Sequence, residues 1–188
     1  DERGAEIKDN PARNLRVRGT GDARAPLFTD QDEEKLLNEL SQMSNKNHLR
    51  LTKLALVTGF RRSELLSLNW SNIDLHKEKI YIRRKECAAK GSSSSMRMVP
   101  LSHKAKDLLI SLENKKGKVI NLTEGSARNG FERARKKAGL LNLRFHDLRH
   151  IAISRMWSYG MNALEISACS GHRDIKMLMR YSHYQLSF

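Results

Sequence analysis

A single interruption in hydrophobic period limits what this chain can fold into. From Thr29 to about Leu68, and again from Ser102 to Met179, apolar residues recur three and four apart, the spacing of one helix face. Between these stretches the period changes. Ile73, Ile80 and Ile82 punctuate strand-like segments, and MRMVP at 96–100 reads as an edge strand closed by Pro100. KGSSSS at 90–95 lies between them as a hairpin tip. The pattern predicts an α+β domain, mostly α, with one small antiparallel sheet.

The helices announce themselves by caps and stripes. Thr29 followed by Asp30, Asp32 and Glu33 is a helix start whose first-turn charges suit the dipole, and Leu36, Leu37 and Leu40 follow on one face. The spacing predicts further helices over His48–Val57, ended by Thr58-Gly59, and over Ser63–Leu68. Others are expected from Ser102 with Ala105, Leu108, Leu109 and Leu112, over Ser126–Ala138 before Gly139, and over Phe145–Ser158 with a Leu148, Ile151, Ala152 stripe. Ala163–Cys169 has Asn162 as its cap and Gly171 after its end, and Ile175, Leu178 and Met179 pattern a last helix leading to Tyr181. Residues 1–25 lack apolar periodicity and read as a linker, and the missing initiator Met suggests a fragment of something longer, leaving 26–188 as the folded unit. Trp70 and Trp157 are expected to pack in or beside the core.

Charge narrows the partners. Of 188 residues, 35 are Lys or Arg and 21 are Asp or Glu, a net charge of +14 that makes a polyanion the natural partner. Acid concentrates in TDQDEEKLLNEL, whereas Lys115 to Arg155 is basic, so one face is expected to meet phosphates and another to face away. Aromatics are only 6% of the chain, which argues against a single-strand binder that stacks bases and favours duplex backbone contact. No apolar run reaches the ~18 residues of a membrane span, and the first residues do not form a signal peptide. Cys87 and Cys169 build neither a disulfide framework nor a four-cysteine zinc site, which points to reduced thiols and a cytoplasmic setting.

Several separated places carry unusual chemistry. Arg61 sits where one helix ends and another begins. His146 and Arg149 are three apart on one predicted helix, away from its apolar stripe. His172 directly follows Gly171, and Tyr181 comes nine residues later. Two arginines, two histidines and a tyrosine suit phosphoryl transfer without a metal or other cofactor: guanidinium forks hold phosphate oxygens, and a phenol can attack phosphorus.

TGFRRSELLSLNWSNID at 58–74, FHDLRH at 145–150 and SGHRDIKMLMRYSHY at 170–184 together resemble the motifs of the tyrosine recombinase (phage integrase) family, in the family's order and spacing. The resemblance implies the helical catalytic domain of that family. It makes Arg61 the first catalytic arginine, His146 and Arg149 the His-x-x-Arg pair, His172 the second histidine and Tyr181 the nucleophile. Lys90 matches the family's hairpin lysine, with Lys85 as the alternative because the tip is about two residues longer than usual. Ser170 stands where leucine is common, and Ile151 where threonine is common.

The implied chemistry is cleavage and rejoining of duplex DNA through a 3′-phosphotyrosyl link, with no cofactor. The implied assembly is a homotetramer on DNA, a monomer in isolation and association with the nucleoid when bound. Two other readings compete. One is a non-catalytic DNA-binding relative of the same fold; the other is a zinc pair formed by His146 and His150, which needs a third ligand. Tyr184 competes with Tyr181, but the interval from His172 favours Tyr181. His150 and His183 are expected to be structural.

Overall fold

The computed structural model describes residues 28–83, 96–112, 115–172 and 174–179. Lys85, Cys87, Lys90, Tyr181, His183, Tyr184 and the linker over residues 1–25 lie outside them. Eight α-helices are described, α1 (Asp30–Ser41), α2 (Asn47–Thr58), α3 (Arg62–Leu66), α4 (His103–Ile110), α5 (Glu124–Lys137), α6 (Asp147–Ser158), α7 (Ala163–Ser170) and α8 (Lys176–Met179). The three strands are β1 (Ile73–Asp74), β2 (Lys79–Arg83) and β3 (Met96–Pro100). They form one antiparallel sheet in the order β1-β2-β3, with Ile80 opposite Val99 and Ile82 opposite Arg97. Mostly helical with one small sheet is what the sequence predicts.

Local chemistry sets the helix ends. Thr29 caps α1 in a reciprocal box: its hydroxyl accepts the Asp32 amide at 3.2 Å, and the Asp32 carboxylate accepts the Thr29 amide at 3.0 Å. Asn162 and Glu165 do the same for α7, at 3.0 and 2.8 Å. Gly59 and Gly171 close α2 and α7 in the left-handed region, at φ +66° and +73°, where a side chain would be strained. α5 begins two residues earlier than predicted because Thr123 caps it. α6 begins two residues later than predicted, because His146 is its cap and Phe145 packs edge-on against Phe131 of α5 at 5.2 Å.

The core gathers Leu36 and Leu40 of α1, Leu51 and Leu54 of α2, Ile80 of β2, Leu109 of α4, and Leu148 and Ile153 of α6. Each such fully buried side chain contributes about 1.5–3 kcal/mol. Trp70 and Trp157 are buried in it. α2 packs on α6, α1 covers α2 and α5, and α7 lies against α6 and β3. α2 and α5 meet at Gly130, where the buried His48 ring occupies the space a side chain would take: a Cβ there would lie 2.2 Å from His48 Nδ1.

One expectation needs correcting. The apolar stripe of α6 suggests that Arg149, outside it, faces away from the core. In fact Arg149 is 3% exposed, and Ile153, Ser154 and Ser158 are buried too, because neighbouring elements enclose α6 on nearly every side. A helix buried all round carries little periodic signal.

Candidate active site

Arg61 occupies the corner between α2 and α3. Gly59 ends α2, and Arg61 takes extended backbone angles as the cap of α3. The corner is fixed by Glu64, one turn into α3. Its Oε2 accepts the Arg61 amide at 2.9 Å and its Oε1 the Arg61 guanidinium at 3.3 Å. The Arg61 side chain keeps 44% of its surface in solvent, so it is anchored yet available to a ligand. Arg62 beside it donates to Glu124 of α5 at 2.8 and 2.5 Å and lies 5.8 Å from the centre of the Phe145 ring, which joins this corner to the start of α6.

Arg149 reaches the corner from α6. Its Nη1 donates to the Gly59 carbonyl at 2.7 Å, and its Nη2 lies 3.2 and 3.3 Å from the two ring nitrogens of His172. Near-equal distances place the guanidinium against the ring rather than along one lone pair. Ser170 holds the same ring from the other side. Its hydroxyl is 2.6 Å from the Ile166 carbonyl and 2.7 Å from His172 Nδ1. A hydroxyl has one proton; donated to the carbonyl, it leaves the oxygen to accept Nδ1–H, so neutral His172 keeps its lone pair on Nε2. His146 packs edge-to-face on His150, with ring centres 5.0 Å apart.

The electrostatics are cationic. Burial, then Arg149 and Arg61, then His150 and His146, push the His172 imidazole down from 6.5 to about 3. Burial and Arg149 also lower His146, with Arg61 adding and Asp147 opposing. Burial raises the Asp147 carboxyl. Both candidate imidazoles are therefore neutral at pH 7 beside two guanidinium groups.

The structure thus brings together four of the predicted residues, Arg61, His146, Arg149 and His172, from three distant parts of the chain; Lys90 and Tyr181 fall outside the described residues. Among the described residues, no group of three or more His, Cys, Asp or Glu is arranged to hold a metal ion. No described helix is long and apolar enough to cross a membrane. The large groove of about 1520 Å³ between α1, α2, α4, α6 and the sheet contains none of the four; Leu37, Leu56, Val57, Val99 and Met156 are among its lining residues.

Sequence reasoning missed Glu64, Arg97 and the role of Ser170. Arg97 on β3 donates to Glu64 Oε1 at 3.1 Å and to the Cys169 carbonyl at 2.8 Å, with its side chain only 10% exposed. A signal existed: alternation along β3 puts Arg97 on the same face as buried Val99, a charge on the inward side of a strand. Glu64 likewise stands three residues after Arg61, the position from which a carboxylate closes a cap.

A mostly helical domain that gathers two guanidinium groups and two imidazoles in one place is the class this geometry defines. Comparison with known proteins makes it specific. The family model described as "Phage integrase family" matches residues 27–187, and the chain belongs to that family. It is 32% identical over 178 residues to the shufflon-specific DNA recombinase of Escherichia coli, covering 94% of this chain and 44% of that protein. It is 34% identical over 179 residues to the integrase of Escherichia phage 186, covering 94% and 49%. The catalytic domain of bacteriophage HP1 integrase superposes with a TM-score of 0.64 at 30% identity, over 83% of this chain and 86% of that domain. The chain spans about half the length of the curated relatives it matches, and the fold is that of the integrase catalytic domain.

Proposed function

We propose that this chain is the catalytic domain of a site-specific DNA recombinase that cuts and rejoins duplex DNA through Tyr181. One observation carries the reading: Arg61, His146, Arg149 and His172 converge from the α2–α3 corner, α6 and the end of α7 around one electropositive site. The net charge of +14 and the names of the relatives, a DNA recombinase and two integrases, support DNA as the substrate.

In this reading the Tyr181 phenolic oxygen attacks the scissile phosphorus, the bond to the 5′-oxygen breaks, and a 3′-phosphotyrosyl link forms. Arg61 and Arg149 hold the non-bridging oxygens and stabilise charge developing on them. A free tyrosine has a pKa near ~10, so attack at neutral pH needs a proton acceptor. His146 is exposed, and partial desolvation and its cationic neighbours keep it neutral, which suits it to accept that proton. Lys90 protonates the departing 5′-oxygen. A phosphate against His172 offsets the arginine charge, raises the ring's proton affinity and lets Nε2 take a proton and donate to the phosphate. Attack by a second strand's 5′-hydroxyl reverses the chemistry and joins new partners. The phosphodiester energy stays in the covalent link.

The family match begins at residue 27, which supports a boundary near residue 25 between a linker and the catalytic domain at 26–188. The working form is a homotetramer on two DNA sites, associated with the nucleoid in the cytoplasm, and the isolated domain is a monomer. The test is a nicked suicide substrate carrying the cognate site, incubated with the full-length protein and resolved on a denaturing gel. A covalent adduct present with wild type and lost in Tyr181→Phe is expected. Binding without an adduct would instead assign the chain to a non-catalytic DNA-binding relative.

A further inference from the structure

Arg97 is a largely enclosed cation, its side chain 10% exposed, with no part in the chemistry proposed above, yet it touches two of the three places from which the site is built. Its Nη2 donates to Glu64, the carboxylate that also holds the Arg61 amide and guanidinium. Its Nη1 donates to the carbonyls of Cys169, at 2.8 Å, and Ala168, at 3.4 Å, in the last turn of α7. Those carbonyls lack helical partners and carry the negative end of the α7 dipole, so a guanidinium there satisfies both hydrogen bonding and charge. The group also lies 5.3 Å from the centre of the Phe60 ring, immediately before Arg61.

Gly171 completes the fit. Its φ of +73° already favours glycine, and a Cβ there would lie 2.8 Å from Arg97 Cζ and Nε. The turn that aims His172 is therefore moulded against the Arg97 guanidinium. Lysine could not reproduce this, because only a planar fork presents donors to Glu64 and to the Cys169 carbonyl at once. Pairing of Arg97 with Ile82 in the sheet register fixes where the fork begins.

We propose that Arg97 is a positioning residue: from β3 it clamps the end of α7 against the Arg61 corner and so sets the direction of the His172 ring. Its importance for strand transfer rests on the function proposed above, whereas its effect on His172 does not. The groups facing that ring are Arg149, Arg61, His150, His146 and the Ser170 hydroxyl, and losing the clamp moves the ring away from them into water.

The experiment follows the ring nitrogens of His172 and His48 by long-range proton–nitrogen NMR from pH 8 to 4, in the 188-residue chain, for wild type, Arg97→Ala and Arg97→Lys. In wild type His172 is expected to stay mostly neutral across this range. In Arg97→Ala it is expected to titrate within the range, its midpoint rising by more than about 1 pH unit as burial and cationic neighbours are lost. His48, enclosed between α2 and α5, is expected not to move, and Arg97→Lys should fall between the two.

A folded Arg97→Ala in which His172 stays neutral overturns the proposal, as does an equal shift of His48, which would mean general loosening. Should Arg97→Ala not fold, Arg97→Lys is judged by the same criteria. The titration uses no DNA, so it gives its answer even if no recombinase activity exists. Adduct formation lost in Arg97→Ala with His172 unmoved would overturn the positioning role and leave the function standing.

Discussion

Replacing His172 by Gln should flatten the pH dependence of stability on the acid side of neutrality. The folded chain holds His172 at about 3, whereas the unfolded chain titrates it near 6.5. Below 6.5 the unfolded state binds a proton that the folded state refuses. The stability tied to the neutral ring is therefore complete above 6.5 and lost as pH falls toward 3. At 1.36 kcal/mol per pH unit the full interval corresponds to about 5 kcal/mol. Between pH 7 and 5 the folded ring stays neutral and only the unfolded chain takes up the proton, so about 2 kcal/mol of this is lost over that interval. For a domain of this size that is a fall in Tm of about 4–8 °C.

Thermal unfolding followed by circular dichroism at pH 7, 6 and 5 reads this directly. His48 and His146 are lowered by burial and slope the same way, while Asp147, raised by burial, slopes oppositely. The comparison is therefore between the slopes of wild type and His172→Gln, not their absolute values. Parallel slopes would refute the claim that the folded chain keeps this imidazole neutral.

Other perturbations test separate contacts. Gly130→Ala drives a Cβ into the His48 ring and should cost about 2–3 kcal/mol in urea unfolding despite alanine's better helix propensity. A second change, His48→Ala, should recover part of that loss. Ser170→Ala removes the partner of His172 Nδ1, and the ring nitrogen shifts should report a larger share of the Nε2–H tautomer with the fold intact. An unchanged tautomer ratio would count against the hydroxyl as its anchor. Fluorescence titration with duplex DNA should show affinity falling at least ~10-fold between 50 and 200 mM salt, and a flat response would contradict phosphate neutralisation as the main source of binding.

What the sequence reveals is mostly what short range decides. Thr29, Asn162, Gly59 and Gly171 mark helix ends because a cap needs only its own neighbours, and each stands where expected. The change of period at Ile73 places the sheet for the same reason. Arg61, His146, Arg149 and His172 can be chosen from their motifs, but no periodicity says that they meet. That depends on α6 packing against α2 and on α7 packing against α6 and β3. Glu64, Arg97 and Ser170 are harder still. A carboxylate three residues from an arginine and a serine near a glycine are ordinary surface features until a partner 33 residues away, or a ring held by a second arginine, makes them anchors. Arg149 misleads in the opposite direction, because a charge outside an apolar stripe normally reaches water, and only enclosure of α6 overrides that rule.

The Gly59 carbonyl that seats Arg149 comes from 90 residues earlier in the chain. Until α6 has emerged and docked, that oxygen lacks its guanidinium partner. No fragment ending before α6 has a seated guanidinium, and none ending before residue 172 has the ring it faces. Truncation or stalled translation before residue 172 therefore yields pieces in which the cluster of Arg61, Arg149 and His172 is incomplete.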